Sequence, residues 1–256
     1  MNKNRTIAVI AAFAVVLALP GAALAQERDT APTDVVREQE RVRDTDRPIE
    51  EIKERAAEAI AKRQVTLNRL TEKAIAAPHL TDEHEASLLA DYAAASSGLA
   101  DLGDRIEGAT TYEELRSLVP LIATDYRVYL VIAPKSYLVV AADRINAAVP
   151  RFEEALGKIA AHIARAEEAG WDVAEAVRYL DEAEANLANA ARLVAPVAGN
   201  VINLDASDWP NPAEATLKSN REAVRNSHSE LKAAKEAAKA AVEALRAAAP
   251  NDTIDG

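Results

Sequence analysis

Apolar residues recur at three- and four-residue steps along the first part of the chain between residues 48 and 108, the spacing of one face of an α-helix. Pro48 suits a first helical position and Pro78 a stop, which predicts a helix over residues 48–77. Thr81 predicts the N-cap of a second helix ending near Gly108. The first apolar face comprises Ile49, Ile52, Ala56, Ile60, Leu67, Leu70 and Ala74, and the second Leu88, Leu89, Tyr92, Leu99, Leu102 and Ile106.

The middle of the chain carries mixed signals. A threonine–glutamate capping box, either Thr110 with Glu113 or Thr111 with Glu114, predicts a helix toward Asp125, with a bend where Pro120 removes a backbone donor. Residues 126–133 then form a continuous β-branched and apolar run. Periodicity does not separate a buried helix from an extended segment here, so both stay open for this crossover.

The second half predicts three further long helical segments. The first covers residues 136–169 and contains Pro150, which predicts a kink. Gly170 suits a left-handed helix end, and Asp172 predicts the cap of a helix over residues 173–201. The apolar face of that helix comprises Val177, Leu180, Leu187, Leu193 and Val197, and Trp209 is expected to fold onto the end of the bundle.

A seven-residue repeat marks the last segment. Asn211 and Pro212 predict its cap and first position, and the repeat comprises Leu217, Val224, Leu231, Ala238 and Leu245. This is the spacing of supercoiled helices, either inside one chain or between two copies. Similar helix lengths and short turns therefore predict an all-α fold, an elongated antiparallel bundle of four to five long helices with coiled-coil-like packing.

The N-terminus has the three-part pattern of a secretory signal peptide. Lys3 and Arg5 precede an uncharged apolar run, and Ala23-Leu24-Ala25 forms a small-x-small cleavage site. The apolar run is too short for a span of about 20 residues. We therefore expect a signal peptide over residues 1–25, a flexible charged spacer over 26–47, the bundle over 48–249 and a disordered tail over 250–256. The expected location is extracellular or the cell envelope.

The composition of the chain restricts the classes of partner that it can bind. The formal net charge is −11, and no Lys/Arg cluster stands clear of acidic residues along the sequence, which disfavours nucleic acid and anionic membranes. The absence of cysteine excludes disulfides, thiol catalysis and cysteine-based metal sites. We expect no cofactor and no membrane span after cleavage.

Candidate chemistry is sparse. His79 and His84 lie near Asp82, Glu83 and Glu85, which are ligand types for a borderline metal, but a polar turn with solvated acids is the preferred interpretation. The chain contains no Glu-x-x-His pair, P-loop, GxGxxG or GxSxG motif. We therefore predict no metal site, no catalytic residues and no enzymatic activity.

The richest candidate segment spans residues 112–144. It holds four of the six tyrosines, together with Arg127, Lys135 and Arg144, in an otherwise acidic chain, and Tyr and Arg are typical interface residues. The plainer interpretation is that the tyrosines fill the core while the cations pair with Asp125 and Asp143. The candidate ligand- or partner-binding residues are Tyr112, Tyr126, Arg127, Tyr129, Lys135, Tyr137 and Arg144.

Three stretches carry a resemblance. These are Thr124-Asp125-Tyr126-Arg127-Val128-Tyr129, the following Pro134-Lys135, and the block from Leu138 to Arg144. Together with the Ala-Gly-x-Asp-Val turn at residues 169–173, this block resembles uncharacterised secreted α-helical bundle proteins of actinobacteria. The resemblance implies location and fold, and no activity comes with it.

These observations predict an exported, non-enzymatic helical bundle that acts by binding or scaffolding at the cell envelope or outside the cell, with an unknown protein or envelope component as partner. The alternative is a carrier of a small molecule or metal with its site in the crossover near Tyr126–Lys135. The seven-residue repeat adds self-association as a further expectation.

Overall fold

The computed structural model describes residues 48–249, and this part of the chain is all-helical, without a β-strand. The predicted signal peptide, spacer and tail lie outside the described residues. Ten helical elements follow in chain order: α1 (Ile49–Ile75), α2 (Asp82–Gly108), α3 (Tyr112–Leu118), α4 (Leu121–Thr124), a π-helical turn (Val128–Ile132), α5 (Ala133–Glu168), α6 (Ala174–Val194), α7 (Val197–Val201), a 3₁₀ turn (Ala206–Asp208) and α8 (Ala213–Ala247).

Helices α1 and α2 pack against each other through the predicted apolar faces. Pro48 lies one residue before α1 rather than at its first position, and α1 ends at Ile75, two residues before its predicted end. The Thr81 side chain accepts a hydrogen bond from the His84 backbone N–H, as expected of an N-cap. The interhelical turn therefore follows from local sequence signals.

The crossover is helical. Thr111 and Glu114 form the capping box of α3, and the chain turns at Pro120 into the short α4. Residues 128–132 then form a π-helical turn that leads directly into α5. Of the two open alternatives, the helical one is therefore correct, in a wider helix than an α-helix.

Helix α5 contains Pro150 within its 36 residues and ends at Glu168, two residues before Gly170, whose φ is +80°. The Trp171 N–H donates to the Ala166 carbonyl and the Gly170 N–H to the Glu167 carbonyl, which is a Schellman motif. Asp172 lies one residue before the N-cap of α6, and its carboxylate accepts from the Ala174 N–H. The turn predicted from Gly170 and Asp172 is thus confirmed, with the cap moved by one position.

The predicted helix over residues 173–201 is divided into α6 and α7 around Pro196. Val177, placed in its apolar face above, is 38% exposed, so that assignment was wrong. The buried face runs instead through small residues alternating with larger ones: Ala176, Leu180, Ala183, Leu187, Ala190 and Val194. Alanines let α6 approach its neighbours closely, which a search for large apolar residues overlooks.

Helix α8 packs mainly along α6 and also contacts α5. Pro212 precedes its first residue, and no side chain caps the helix, so the predicted Asn211 cap was wrong. In the repeat, Leu217, Val224, Leu231 and Ala238 are buried within this chain and Leu245 is half-buried. The Ser227 hydroxyl donates to the Ala190 carbonyl at 2.8 Å, which fixes the register of α8 against α6.

Among residues 48–249, no helix combines the length and apolar character that a membrane span requires.

Candidate functional site

Arg127 and Lys135, two of the candidate residues, flank the π-helical turn and bind the same loop, residues 202–212 between α7 and α8. The Arg127 Nε–H donates to the Ala206 carbonyl at 3.0 Å, and Lys135 Nζ donates to the Leu204 carbonyl at 2.7 Å. We call Arg127, the π-helical turn, Lys135 and this loop the junction. It connects the start of α5 to a segment about 70–80 residues later in the chain.

Arg127 is held in an unusual backbone conformation. Its φ of 40° and ψ of 44° lie in the left-handed region, which non-glycine residues rarely adopt. The backbone N–H groups of Leu130 and Val131 both donate to the Arg127 carbonyl, which starts the helix. The left-handed residue redirects the chain from α4 into the π-helical turn, and the side-chain bond to Ala206 fixes that change of direction.

Lys135 is a buried cation with two partners. It is 3% exposed, and Nζ donates to Asp91 Oδ2 in α2 as well as to the Leu204 carbonyl. Since a buried ammonium without partners is very costly, these bonds are required for this residue to lie here. Lys135 therefore ties together α2, α5 and the α7–α8 loop.

The loop has its own internal bonds. Asp205 Oδ1 accepts from both the hydroxyl and the backbone N–H of Ser207, at 2.6 and 2.7 Å, and Asp208 accepts from the Asp205 N–H. The bonds from Ser207 hold the pKa of the Asp205 carboxyl below its usual range, and the positive charge of Lys135 adds to this effect. The loop is thus best ordered when Asp205 is ionised.

We expect the α7–α8 loop to loosen at acidic pH. Because the pKa of Asp205 is lower in the folded chain than its reference value of 3.8, its contribution is complete above that value and is lost as the pH falls below it. In a Trp171→Phe variant, Trp209 of the loop is the only tryptophan, so selective tryptophan excitation reports on the loop alone. Its emission should shift before far-UV circular dichroism reports loss of helix. The added change Asp205→Asn should remove this early step, and simultaneous loss of both signals would contradict the prediction.

Tyr126 lies against a glycine of α2. A Cβ added at Gly98 would lie 2.5 Å from Tyr126 Cε1 and 2.7 Å from its hydroxyl, so the ring occupies the space that any other residue would need. Burial raises the pKa of the Tyr126 hydroxyl, and the charges of Asp125 and Asp101 raise it further. The glycine within α2 is therefore explained by the approach of the crossover.

We expect Gly98→Ala to destabilise the protein by about 1 kcal/mol, because overpacking against Tyr126 outweighs the better helix propensity of alanine. In a Tyr126→Ala background, the same change should stabilise the protein by about 0.5–1 kcal/mol, since only the propensity remains. Urea denaturation of the four variants in this double-mutant cycle measures both effects. The same sign in both backgrounds would refute the contact.

Two cations of α1 form cation–π contacts with two further tyrosines. The Arg63 guanidinium lies 5.3 Å from the ring centroid of Tyr129, and Lys73 Nζ lies 5.0 Å from that of Tyr137. Arg63 is itself buried and donates to the Ala59 carbonyl. Such cation–π contacts are strongest where water is excluded, so these tyrosines fasten α1 to the crossover and the start of α5.

The histidine cluster has another structural role. His84 Nδ1 lies 2.7 Å from Asp143 Oδ2, and the same oxygen accepts from the Thr81 N–H. Asp143 is 5% exposed, so this contact ties the start of α2 to the first third of α5. Within residues 48–249, no three histidine or acidic side chains come together as a metal site would require.

The prediction that the cations of residues 112–144 pair with Asp125 and Asp143 was wrong for two of them. Lys135 pairs with Asp91 rather than with Asp125 or Asp143, and Arg127 binds a carbonyl. Tyr112 is the first residue of α3 and is 40% exposed, and Arg144 is half-buried on α5. The bonds that define the junction include neither residue.

Sequence reasoning missed Asp91, Leu204, Asp205 and Ser207. Gly98 was missed as well, although it left a signal, because an isolated glycine inside a strong helical pattern often has a packing reason. Tyr92, placed in the apolar face of α2, also adjoins the junction. Burial raises its pKa to about 12, and a hydrogen bond with Ser136 partly offsets the rise, so Tyr92 is a neutral hydroxyl at physiological pH.

The cations of the junction are thus bound to the chain itself, through two backbone carbonyls and one carboxylate. This arrangement can hold helices in place. Comparisons of the chain with protein-family models, curated proteins and solved structures find no match.

Proposed function

We propose that this chain is an exported, non-enzymatic helical protein that acts by binding or scaffolding at the cell envelope or outside the cell. The signal-peptide pattern supports export. The observation that carries the scaffolding role is that both cations flanking the π-helical turn bind the α7–α8 loop of the same chain. The segment over residues 112–144, whose tyrosines and cations resemble a ligand site in composition, thus stabilises the fold through these contacts.

The proposed architecture is an elongated antiparallel bundle with coiled-coil-like packing. Its support is the alternation of long helices with short turns, the burial of the seven-residue repeat and the Ser227–Ala190 hydrogen bond between α8 and α6. Because four of the five repeat positions are buried within this chain, they support packing inside one copy more than self-association. Rigidity in a cysteine-free exported protein would then come from helix packing.

The carrier alternative has weaker support. A small-molecule site in the crossover would need Arg127 and Lys135 to face a ligand, whereas each already donates to the α7–α8 loop. Native mass spectrometry of the protein purified from its own host tests this alternative. A bound mass that persists in wild type and is lost in Lys135→Met would favour the carrier over the scaffold.

Two measurements test the main proposal. Intact-mass analysis of the culture medium should show a chain that begins at Gln26, and retention of the full-length chain inside cells would overturn export. Purified protein should show no saturable hydrolysis of generic ester, peptide or glycan substrates. Turnover that a single change such as Asp91→Asn abolished would overturn the non-enzymatic role, whereas the helical fold of that variant can be checked by circular dichroism.

A further inference from the structure

Helix α8 carries a row of cations that sequence order conceals. Lys218, Arg221, Arg225, Lys232 and Lys235 follow one another at steps of three, four or seven residues. At about 100° per residue, they fall within an arc of about 100° on the helix surface. We call these five residues the cationic stripe, and it extends for about 25 Å along α8 at 1.5 Å per residue.

The acids of α8 lie at the ends of this stripe or on other faces. Glu222 and Glu230 are interleaved with the cations in sequence, but they lie about 80° and about 160° from the middle of the stripe. Glu214 lies in the same arc one turn before Lys218, and Glu236 beyond the stripe pairs with Lys239 at 3.0 Å. Helical geometry therefore separates charges that are mixed along the sequence, so α8 carries a row of cations although the sequence shows no basic cluster.

The stripe is accessible, and no ion pair with another residue in 48–249 involves it. Four of its side chains are exposed and that of Lys235 is half-buried. Within the described part of the chain, no acid of α5, α6 or α8 forms an ion pair with any of the five. This contrasts with Lys62, Lys158 and Arg178, which pair with acids on their own helices. Uncompensated cations in a row on a rigid helix provide the charge complement of an extended anion.

The surroundings of the stripe restrict what can bind there. Helix α8 contains no Phe, Tyr or Trp, so it lacks the stacking platforms with which proteins bind single-stranded nucleic acids. A flat anionic membrane would bring the rest of this chain close to the same negative surface, and the chain as a whole has a formal net charge of −11. A narrow polymer can contact the stripe alone. When recognition depends on charge alone, the polymer with the highest charge per unit length binds best. Phosphate also supplies acceptor oxygens for both Lys and Arg.

We propose that the cationic stripe binds a linear phosphate polymer without bases, of the polyphosphate type. This inference rests on the proposed binding role and gives its partner a chemical class. The polymer lies along α8 and is held by salt-dependent contacts with the five cations. The junction stabilises the fold that presents α8 and does not touch the polymer.

Fluorescence anisotropy of labelled long-chain polyphosphate, titrated with the full chain at several NaCl concentrations, tests the inference. If five cations act as on a single-stranded nucleic acid, log K against log salt should have a slope of about −3.5. Changing all five stripe residues to Gln should weaken binding more than about tenfold at low salt. The double change Arg221→Gln with Arg225→Gln should reduce the slope by about 1.4.

The matched control changes five exposed cations outside the stripe, Lys62, Arg116, Arg151, Lys158 and Arg165, to Gln. It alters net charge equally and should leave binding within about twofold, since distant exposed charges are screened. Equal losses in both variants, or no binding by wild type at low salt, would overturn the inference. So would tighter binding of single-stranded DNA, polyglutamate, heparin or anionic vesicles than of polyphosphate.

Failure of the polyphosphate inference can be distinguished from failure of the proposed export and scaffolding role. Absence of polyphosphate binding by a protein that still appears in the medium beginning at Gln26 removes this partner alone. Because all five positions lie at the surface, the stripe variant should keep the circular dichroism spectrum and Tm of wild type within a few degrees. If the five-residue variant failed this check, the Arg221/Arg225 double variant would replace it. A slope of log K against log salt that is unchanged in the double variant would also overturn the inference.

Discussion

Replacing Lys135 with Ala is expected to lower the free energy of unfolding by about 3 kcal/mol, and Tm by about 6–12 °C. The change removes the buried ammonium from between Asp91 and the Leu204 carbonyl and leaves a cavity at the start of α5. Breaking one side of a buried pair costs about 3–5 kcal/mol. The Asp91 side chain is 38% exposed, so water can reach the remaining carboxylate, which places the loss at the lower end. Urea denaturation measures it.

Two companion variants separate charge from packing at this position. Lys135→Met keeps the side-chain stem and should cost about 2 kcal/mol, because the Leu204 carbonyl loses its donor. Asp91→Asn keeps an acceptor at a partly hydrated position and should cost about 1 kcal/mol or less. The expected order of losses is Lys135→Ala, then Lys135→Met, then Asp91→Asn. A loss below about 1 kcal/mol for Lys135→Ala would show that the junction does not brace the fold.

Leu231→Ala should cost about 3–4 kcal/mol, since truncation of a buried leucine removes apolar contacts and leaves a cavity that closes only in part. Leu231 is 1% exposed at the centre of the seven-residue repeat in α8. The loss should also separate the α6–α8 pair first, which hydrogen exchange of α6 amides would detect as reduced protection.

Val177→Ala is the matched control for this change. The sequence pattern assigns Val177 and Leu231 alike to apolar faces, yet Val177 is 38% exposed. Its truncation should change the free energy of unfolding by no more than about 0.5 kcal/mol. Equal losses at the two positions would mean that the face of α6 has been assigned wrongly. In that case the alanine-rich face of α6 would not be the packed one.

Local signals predicted much of the helical order. Thr81, the Thr111–Glu114 box and Gly170 each satisfy backbone groups within a few residues, so their effect is visible in a short stretch of sequence. The alanine-lined face of α6 was harder to identify, because alanine fits both a buried contact and a solvent-facing helix. Val177 was misplaced for this reason.

The junction was only half predictable. Its tyrosines and cations were recognised as unusual, but their partners lie far away in sequence, as Asp91 and Ala206 do. Nothing in local spacing says which acid a buried lysine will meet, since that depends on how the helices pack. The cationic stripe is intermediate, because its residues share a face that follows from helical geometry, whereas its lack of partners depends on the neighbouring helices.

The sequence by itself determined the helical class, most helix ends, the heptad of α8 and the export pattern, because each depends on periodicity or on neighbours within one or two turns. The tertiary structure decided that the crossover is a π-helical turn, that its cations bind the chain's own loop, and that a row of cations on α8 stays unpaired within the described residues. These features depend on contacts between segments distant in sequence, and only the packed chain brings those segments together.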